Sequence, residues 1–361
     1  MKRHFEVLDG LRGAVALLVV VFHLCGAYFQ TYTHNPVRHA YLAVDFFFML
    51  SGYVVGYAYD DRWATMRFGD FLRRRAIRLH PLVVLGVGLG ALSYWFDPFA
   101  GASQHVRLVH LAANVLFGLL LLPFVSLPNR FGETHPLDGP CWSLLQEYLV
   151  NVAYALVGPR LSRRALVGVV AAAAAVLLAT AFGYGNLQGG WGWATFWMAP
   201  VRVAFPFFMG LLLHRFGLHF RLPGAFWVLS LLLLGLFAAP AFEPAGPYAA
   251  FCTVVLFPLV VAAGAGSPVA GGVATLCRWA GRLSYPLYLL HYPFIYPLIN
   301  WVGATHPPLR QALPVLGGLL LLFVVLAWLA LRFYDEPVRA WLGARARRAA
   351  PAGAVRPSQA I

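Results

Sequence analysis

Between Leu8 and Arg332 the chain is a succession of apolar runs joined by short polar or basic links. Many of these runs approach the ~20 residues that a helix needs to cross a bilayer. Inside hydrocarbon the backbone has no water to bond, so each crossing run must satisfy its own N–H and C=O groups, as a helix does. Composition agrees: 361 residues, 60% hydrophobic, 11% charged, mean hydropathy +0.70, a balance foreign to soluble globular proteins. The expected fold class is an all-α integral membrane protein of about ten transmembrane helices.

Charge supplies the expected topology. Lys+Arg number 27 against Asp+Glu 13, giving +14. This excess lies in short links between apolar runs, so it reads as positive-inside topology and attraction to anionic lipid, not as nucleic-acid binding. Lys2 and Arg3 place the N-terminus in the cytoplasm, and Glu6, Asp9 and Arg12 spoil a cleavable signal peptide. The expected crossings are about Leu11–Phe29, Tyr41–Tyr59, one of the two runs 82–96 and 108–125, then Cys141–Val157, Ala165–Phe182, Trp193–His214, Ala225–Pro240, Tyr248–Ala265, Leu283–Val302 and Gln311–Arg332. The other run of the ambiguous pair becomes a re-entrant or interfacial segment. Both termini are then cytoplasmic, as are Arg67, the arginines from Arg73 to Arg78 (a stretch ended by Pro81), Arg163, Arg215 and Arg282. Residues 1–335 form one transmembrane domain, and 336–361 a short, basic, disordered tail. Cys25, Cys141, Cys252 and Cys277 are scattered without metal-ligand spacing, and no metal is expected.

Polar groups within apolar runs carry the functional signal. Arg12 and His23 are eleven residues apart, close to three helical turns, so they share one face ~16 Å apart along the axis. A charge and a titratable ring there are costly unless that face meets protein or water. In the expected topology His23, Asp45, Glu147 and Arg202 lie in the outer half of their helices, and His291 nearer the middle. Each has a structural alternative: Asp45 or Glu147 paired with Arg202 as a strut, His291 packed beside Tyr288 and Tyr292. Ser143, Glu147, Asn151 and Tyr154 form a polar stripe at helical spacing. At the opposite face Arg75 and Arg78 form R-x-x-R, with Arg73, Arg74 and Arg12 nearby, a set suited to phosphate. There is no G-x-x-x-x-G-K loop and no G-x-S-x-G elbow.

Read together, several segments resemble the integral-membrane acyltransferase family 3, whose members O-acylate glycans. These are LDGLRG to FH (Leu8–His23), DFFFMLSGYV (Asp45–Val54), RRRAIRLHP (Arg73–Pro81), CWSLLQEYLVN (Cys141–Asn151), VRVAFPFFMGLLL (Val201–Leu213), LSYPLYLLHYP (Leu283–Pro293) and YDEPVR (Tyr334–Arg339). The resemblance implies ten transmembrane helices in an inner membrane, cytoplasmic acyl-CoA (acetyl-CoA above all) as donor, and a cell-surface or secreted glycan hydroxyl as acceptor. It carries functional status to Arg12, His23, Arg75, Arg78, Ser143 and Glu147. The expected roles follow. Arg12, Arg75 and Arg78 hold the CoA phosphates, and His23 is the general base, with a covalent acyl-histidine left open. Asp45 or Glu147 orients His23 or stabilises its cation. Ser143, Asn151, Arg202 and His291 touch substrate or support the site. Where many members place a second acid and a Gln after the glutamate, this chain has Tyr148 and Leu149, which puts the acceptor in question. Expected partners are the bilayer, the glycan and polysaccharide-synthesis machinery. A proton-coupled transporter using the same His/Asp/Glu cluster is the competing function.

Overall fold

The computed structural model describes residues 4–101 and 106–348, and within them every regular element is helical. In chain order these are α1 (Glu6–Phe29), α2 (Ala43–Tyr59), α3 (Phe68–Trp95), α4 (Leu108–Leu119), α5 (Cys141–Val157), α6 (Arg163–Tyr184) and α7 (Met198–Phe216). They continue with α8 (Ala225–Phe237), α9 (Gly246–Phe251), α10 (Phe257–Gly266), α11 (Gly271–Leu290), α12 (Ile295–Thr305), α13 (Leu309–Ala330) and α14 (Glu336–Arg348). Local chemistry sets several ends. The Ser162 hydroxyl accepts from the Ala165 N–H at 3.2 Å to start α6. Helices α6 and α7 stop where Gly185 and Gly217 take left-handed backbone, with φ of 77° and 64°.

Six helical stretches are long and apolar enough to cross a membrane: Glu6–Phe29, Arg38–Arg62, Phe68–Trp95, Arg163–Tyr184, Gly246–Gly266 and Leu309–Arg348. In α6 and in the stretch containing α13 only 17% of the apolar window is buried by protein. Those faces need a nonaqueous solvent, which makes this a multi-pass membrane protein.

Two helix pairs organise the interior. Helix α2 packs along α7 with backbones touching: a methyl group at Gly52 would sit 1.9 Å from the Phe207 carbonyl oxygen, and one at Gly210 would sit 2.0 Å from that of Met49. Small residues permit such approach between membrane helices. Helix α1 packs along α11 in parallel, with Arg12 beside Gly281 and Ser284, and His23 beside His291.

The structure corrects three expectations and narrows a fourth, the ambiguous pair of runs 82–96 and 108–125. Pro81 does not end the basic segment; it lies inside α3, so Arg75 and Arg78 belong to a 28-residue helix whose second half is the run 82–96. The run 108–125 forms only the 12-residue α4. The span expected at Leu283–Val302 is two helices: α11 starts at Gly271, taking Arg278 and Arg282 into the helix, and breaks at His291. Pro293 has no N–H to give the Leu289 carbonyl, and its ring crowds that oxygen, which favours ending the helix there. Finally, Glu336–Arg348 is helix α14, continuous with α13 through a π-turn at Leu331–Asp335, not a disordered tail. Residues 349–361, Lys2 and Arg3 lie outside the described residues.

Candidate active site

The segment from α4 to α5 has no regular structure, yet Arg130, Glu133, Thr134, His135 and Asp138 in it are buried. Backbone bonds hold it against the segment before α7: Thr134 N–H donates to Trp191 O and Trp193 N–H to Gly132 O, both at 3.0 Å. It thus folds into the protein beside the break between α11 and α12, and its Glu133 meets the tyrosines there.

At that break His291 is fully buried. Its Nδ1 lies 2.8 Å from the Leu287 carbonyl oxygen, which can only accept. The proton of neutral His291 therefore sits on Nδ1, leaving Nε2 as an acceptor. His23 Nδ1 lies 2.8 Å from that Nε2 and must donate to it. One carbonyl oxygen thus fixes both tautomers, and the His23 Nε2 keeps a free lone pair. The rings are stacked with centroids 5.1 Å apart. The Tyr292 ring meets His23 edge-on at 4.8 Å, and its hydroxyl donates to Glu133 Oε1 at 2.7 Å. Tyr296 donates to Glu133 Oε2, and the Arg130 guanidinium lies 3.7 Å over the Tyr296 ring. Burial pushes the Glu133 carboxyl up to about 7, against the opposing effects of both tyrosine hydroxyls and Arg130.

The other end of the α1–α11 pair is ionic. Arg12 donates from Nε to Ser284 Oγ and from Nη2 to Gly281 O, both at 2.9 Å, and its Nη2 lies 3.0 Å from Asp9 Oδ1. Arg78 on α3 lies at the same level: the carbonyl of the next residue, Leu79, accepts from the hydroxyl of Tyr285, which follows the Arg12 partner Ser284, at 2.6 Å. Arg75, one turn before Arg78, takes another course: its Nη2 reaches Glu147 Oε1 at 2.5 Å. The same oxygen accepts from Ser51 Oγ at 2.6 Å and Asn151 Nδ2 at 3.0 Å. Arg75 and Glu147, expected toward opposite membrane faces, therefore stand at one level.

Asp45 and Arg202 form a separate, sealed pair. Arg202 donates to both Asp45 oxygens, to Gly189 O at 2.8 Å and to Tyr41 O at 2.9 Å, and Asp45 is fully buried. With its donors occupied this is a strut. Ser143 is bonded to Pro140 O and to the Tyr288 hydroxyl, both at 2.8 Å. Among the described residues no hydrogen bond joins His23 to Asp45 or Glu147; its hydrogen-bond partner is His291. Sequence reasoning missed Arg130, Glu133 and Asp138. The signal for the two acids was the stretch GETHPLDGP, which packs them with a histidine directly before α5.

Of the segments quoted above, Leu8–His23 and Leu283–Pro293 fall on α1 and α11, which build these two ends. The acyltransferase domain of family 3 matches residues 5–332. The chain belongs to acyltransferase family 3. Protein 2 in the picA locus of Rhizobium radiobacter is 36% identical over 49% of this chain and 94% of its own length. Peptidoglycan O-acetyltransferase OatA of Listeria monocytogenes is 23% identical over 94% of this chain. The match covers 56% of OatA, so this chain spans about half the length of that relative. No solved structure matches the chain. This family 3 acyltransferase therefore carries, within one helix pair, a neutral histidine pair at one end and an arginine cluster at the other.

Proposed function

We propose that the protein moves an acyl group, acetyl above all, from cytoplasmic acyl-CoA to a hydroxyl of a cell-surface or secreted glycan. The proposed setting is the cytoplasmic membrane, with ten crossings and both termini inside. The name of OatA supports an O-acetyl transfer and a glycan acceptor. The observation that carries the reading is the tautomer chain from Leu287 O through His291 to His23, which leaves the His23 Nε2 lone pair available. In the proposed step His23 Nε2 takes the proton of the acceptor hydroxyl while that oxygen attacks the thioester carbonyl. A C–O bond forms, the C–S bond breaks, and the proton passes from His23 to the departing thiolate. The imidazolium that exists in between still donates Nδ1–H to His291 Nε2, so His291 is a positioning residue. The CoA phosphates would face Arg12 and Arg78. Arg75 is committed to Glu147, and Ser143, Asn151 and Arg202 support the helices around the site.

The test is single-turnover transfer of labelled acetyl from acetyl-CoA to cell-wall and secreted glycan fractions by the purified protein. Parental protein transfers label. His23→Gln is expected to bind acetyl-CoA as the parent does and to lose ~10²–10⁴-fold in transfer, the usual contribution of a general base. Retention of most of the rate would remove His23 from the chemistry.

A further inference from the structure

We propose that Arg339 joins Arg12 and Arg78 in a phosphate-binding site at the Arg12 end of the α1–α11 pair, and that Arg75 stands outside it. The nucleotide version of this proposal rests on the acyl-CoA reading; the phosphate chemistry does not.

Acidic partners are unevenly distributed among the arginines. Arg12 has Asp9 at 3.0 Å, Arg339 has Asp335 at 3.1 Å, and Arg75 has Glu147 at 2.5 Å. Arg78 has no hydrogen bond or ion pair among the described residues. Yet it stands among other cations: the Tyr285 hydroxyl on α11, next to the Arg12 partner Ser284, donates to the carbonyl of adjacent Leu79 at 2.6 Å, and Arg282 on the same helix pairs with Glu336, beside Asp335. Asp335 is itself paired with Arg339. An unmatched guanidinium among others is unfavourable in a partly buried setting and calls for an anion. Guanidinium forks match phosphate oxygens in pairs, and several of them match a doubly charged phosphate better than a carboxylate.

Exposure separates the members. The Arg12 and Arg339 side chains are 30% and 22% exposed, so a ligand can reach them. That of Arg75 is 13% exposed and is held by Glu147. The backbone places Arg339 for this task. The π-turn at Leu331–Asp335 turns Asp335 into the protein, where it is 1% exposed. Arg339 follows one turn later on α14, which packs against α3. Such π-turns recur at functional sites.

The phosphate has two possible sources: the diphosphate and 3′-phosphate of CoA, or an anionic lipid headgroup. The experiment uses Arg339→Ala, Arg339→Lys and Arg75→Ala in nanodiscs of phosphatidylcholine, with and without phosphatidylglycerol. The probes are CoA, 3′,5′-ADP and, as a donor without phosphate, S-acetylpantetheine. If the source is the nucleotide, Arg339→Ala binds CoA and 3′,5′-ADP about tenfold or more weakly. Its acetyl-CoA KM rises without a matching fall in kcat. The advantage of acetyl-CoA over S-acetylpantetheine in kcat/KM collapses, and Lys restores part of it. If the source is a lipid, Arg339→Ala instead loses retained phosphatidylglycerol, read by native mass spectrometry, with CoA affinity unchanged. Parental affinity for both phosphate sources in Arg339→Ala overturns the site. A drop in CoA affinity in Arg75→Ala as large as that in Arg339→Ala overturns the exclusion of Arg75. Failure of the acyl-transfer reading looks different: the parental protein transfers acetyl from neither thioester.

Discussion

At Arg12, α1 and α11 are joined by a guanidinium that bonds a carbonyl, a hydroxyl and a carboxylate, with more arginines close by. At His23 the same two helices are joined by two imidazole rings whose protons are dictated by one carbonyl oxygen. The first end holds charge in excess and is partly open; the second, fully buried at His291 and half-buried at His23, is neutral and specified to the single proton. Excess charge suits recognition of an anion whose geometry can vary. A fixed tautomer suits one proton transfer in one direction. The eleven-residue spacing of Arg12 and His23 therefore joins two sites with separate physics, not a single cluster.

Three measurements would sharpen or break that contrast. The largest effect is expected at the neutral end. His291→Phe keeps ring volume but removes the acceptor for His23 Nδ1–H, freeing the wrong tautomer. A fall in kcat of ~10²-fold or more is expected, within the range that proton transfer supplies, with acetyl-CoA KM near parental. His291→Gln, which keeps a carbonyl acceptor, should recover part of it. A similar kcat in the Phe variant would mean that the histidine pair is only packing.

The next effect concerns Glu133, whose carboxyl is raised from 4.5 to about 7 by burial. A carboxyl with a raised folded-state pKa favours folding when protonated. That contribution is complete below the unfolded value of 4.5 and is lost as pH rises through about 7. Hydrogen-exchange protection of residues 127–140 should therefore fall between those pH values, by at most about 3 kcal/mol. Glu133→Gln should flatten the profile. A parental slope in that variant would assign it to another group.

The smallest effect belongs to the ionic end. Ser284→Ala removes the acceptor of Arg12 Nε but leaves Gly281 O and Asp9. One hydrogen bond of this kind is worth ~1 kcal/mol. The acetyl-CoA KM should rise roughly fivefold with kcat unchanged; a matching loss of kcat would tie the two ends together.

Much of this was legible before any coordinates. Runs of apolar residues fixed the helical class, because hydrocarbon leaves the backbone no alternative. Helical period placed Arg12 and His23 on one face, and both do turn toward α11. What failed was depth and partnership. Glu147 and Arg75, expected toward opposite membrane faces, stand at one level because α3 runs unbroken through Pro81. His23 was given a carboxylate partner because acids commonly orient histidines. Its partner is a histidine 268 residues away, and no local pattern encodes that distance. Glu133 read as part of a polar link because the hydroxyls that satisfy it come from Tyr292 and Tyr296, on a later segment of the chain.

The hydrogen-bond chain that begins at His23 ends on Leu287 O, which has no proton to hand on. For acyl transfer this is no handicap. The proton removed from an alcohol is the one the thiolate requires, so a turnover takes none from either side of the membrane and delivers none. A histidine pair that ends on a peptide carbonyl is a cul-de-sac for protons, and a carrier driven by the proton gradient would need a through road. The rate of a family 3 acyltransferase built this way should be indifferent to the protonmotive force. In sealed proteoliposomes, collapsing a pH gradient with an ionophore should leave acetyl transfer at its starting rate.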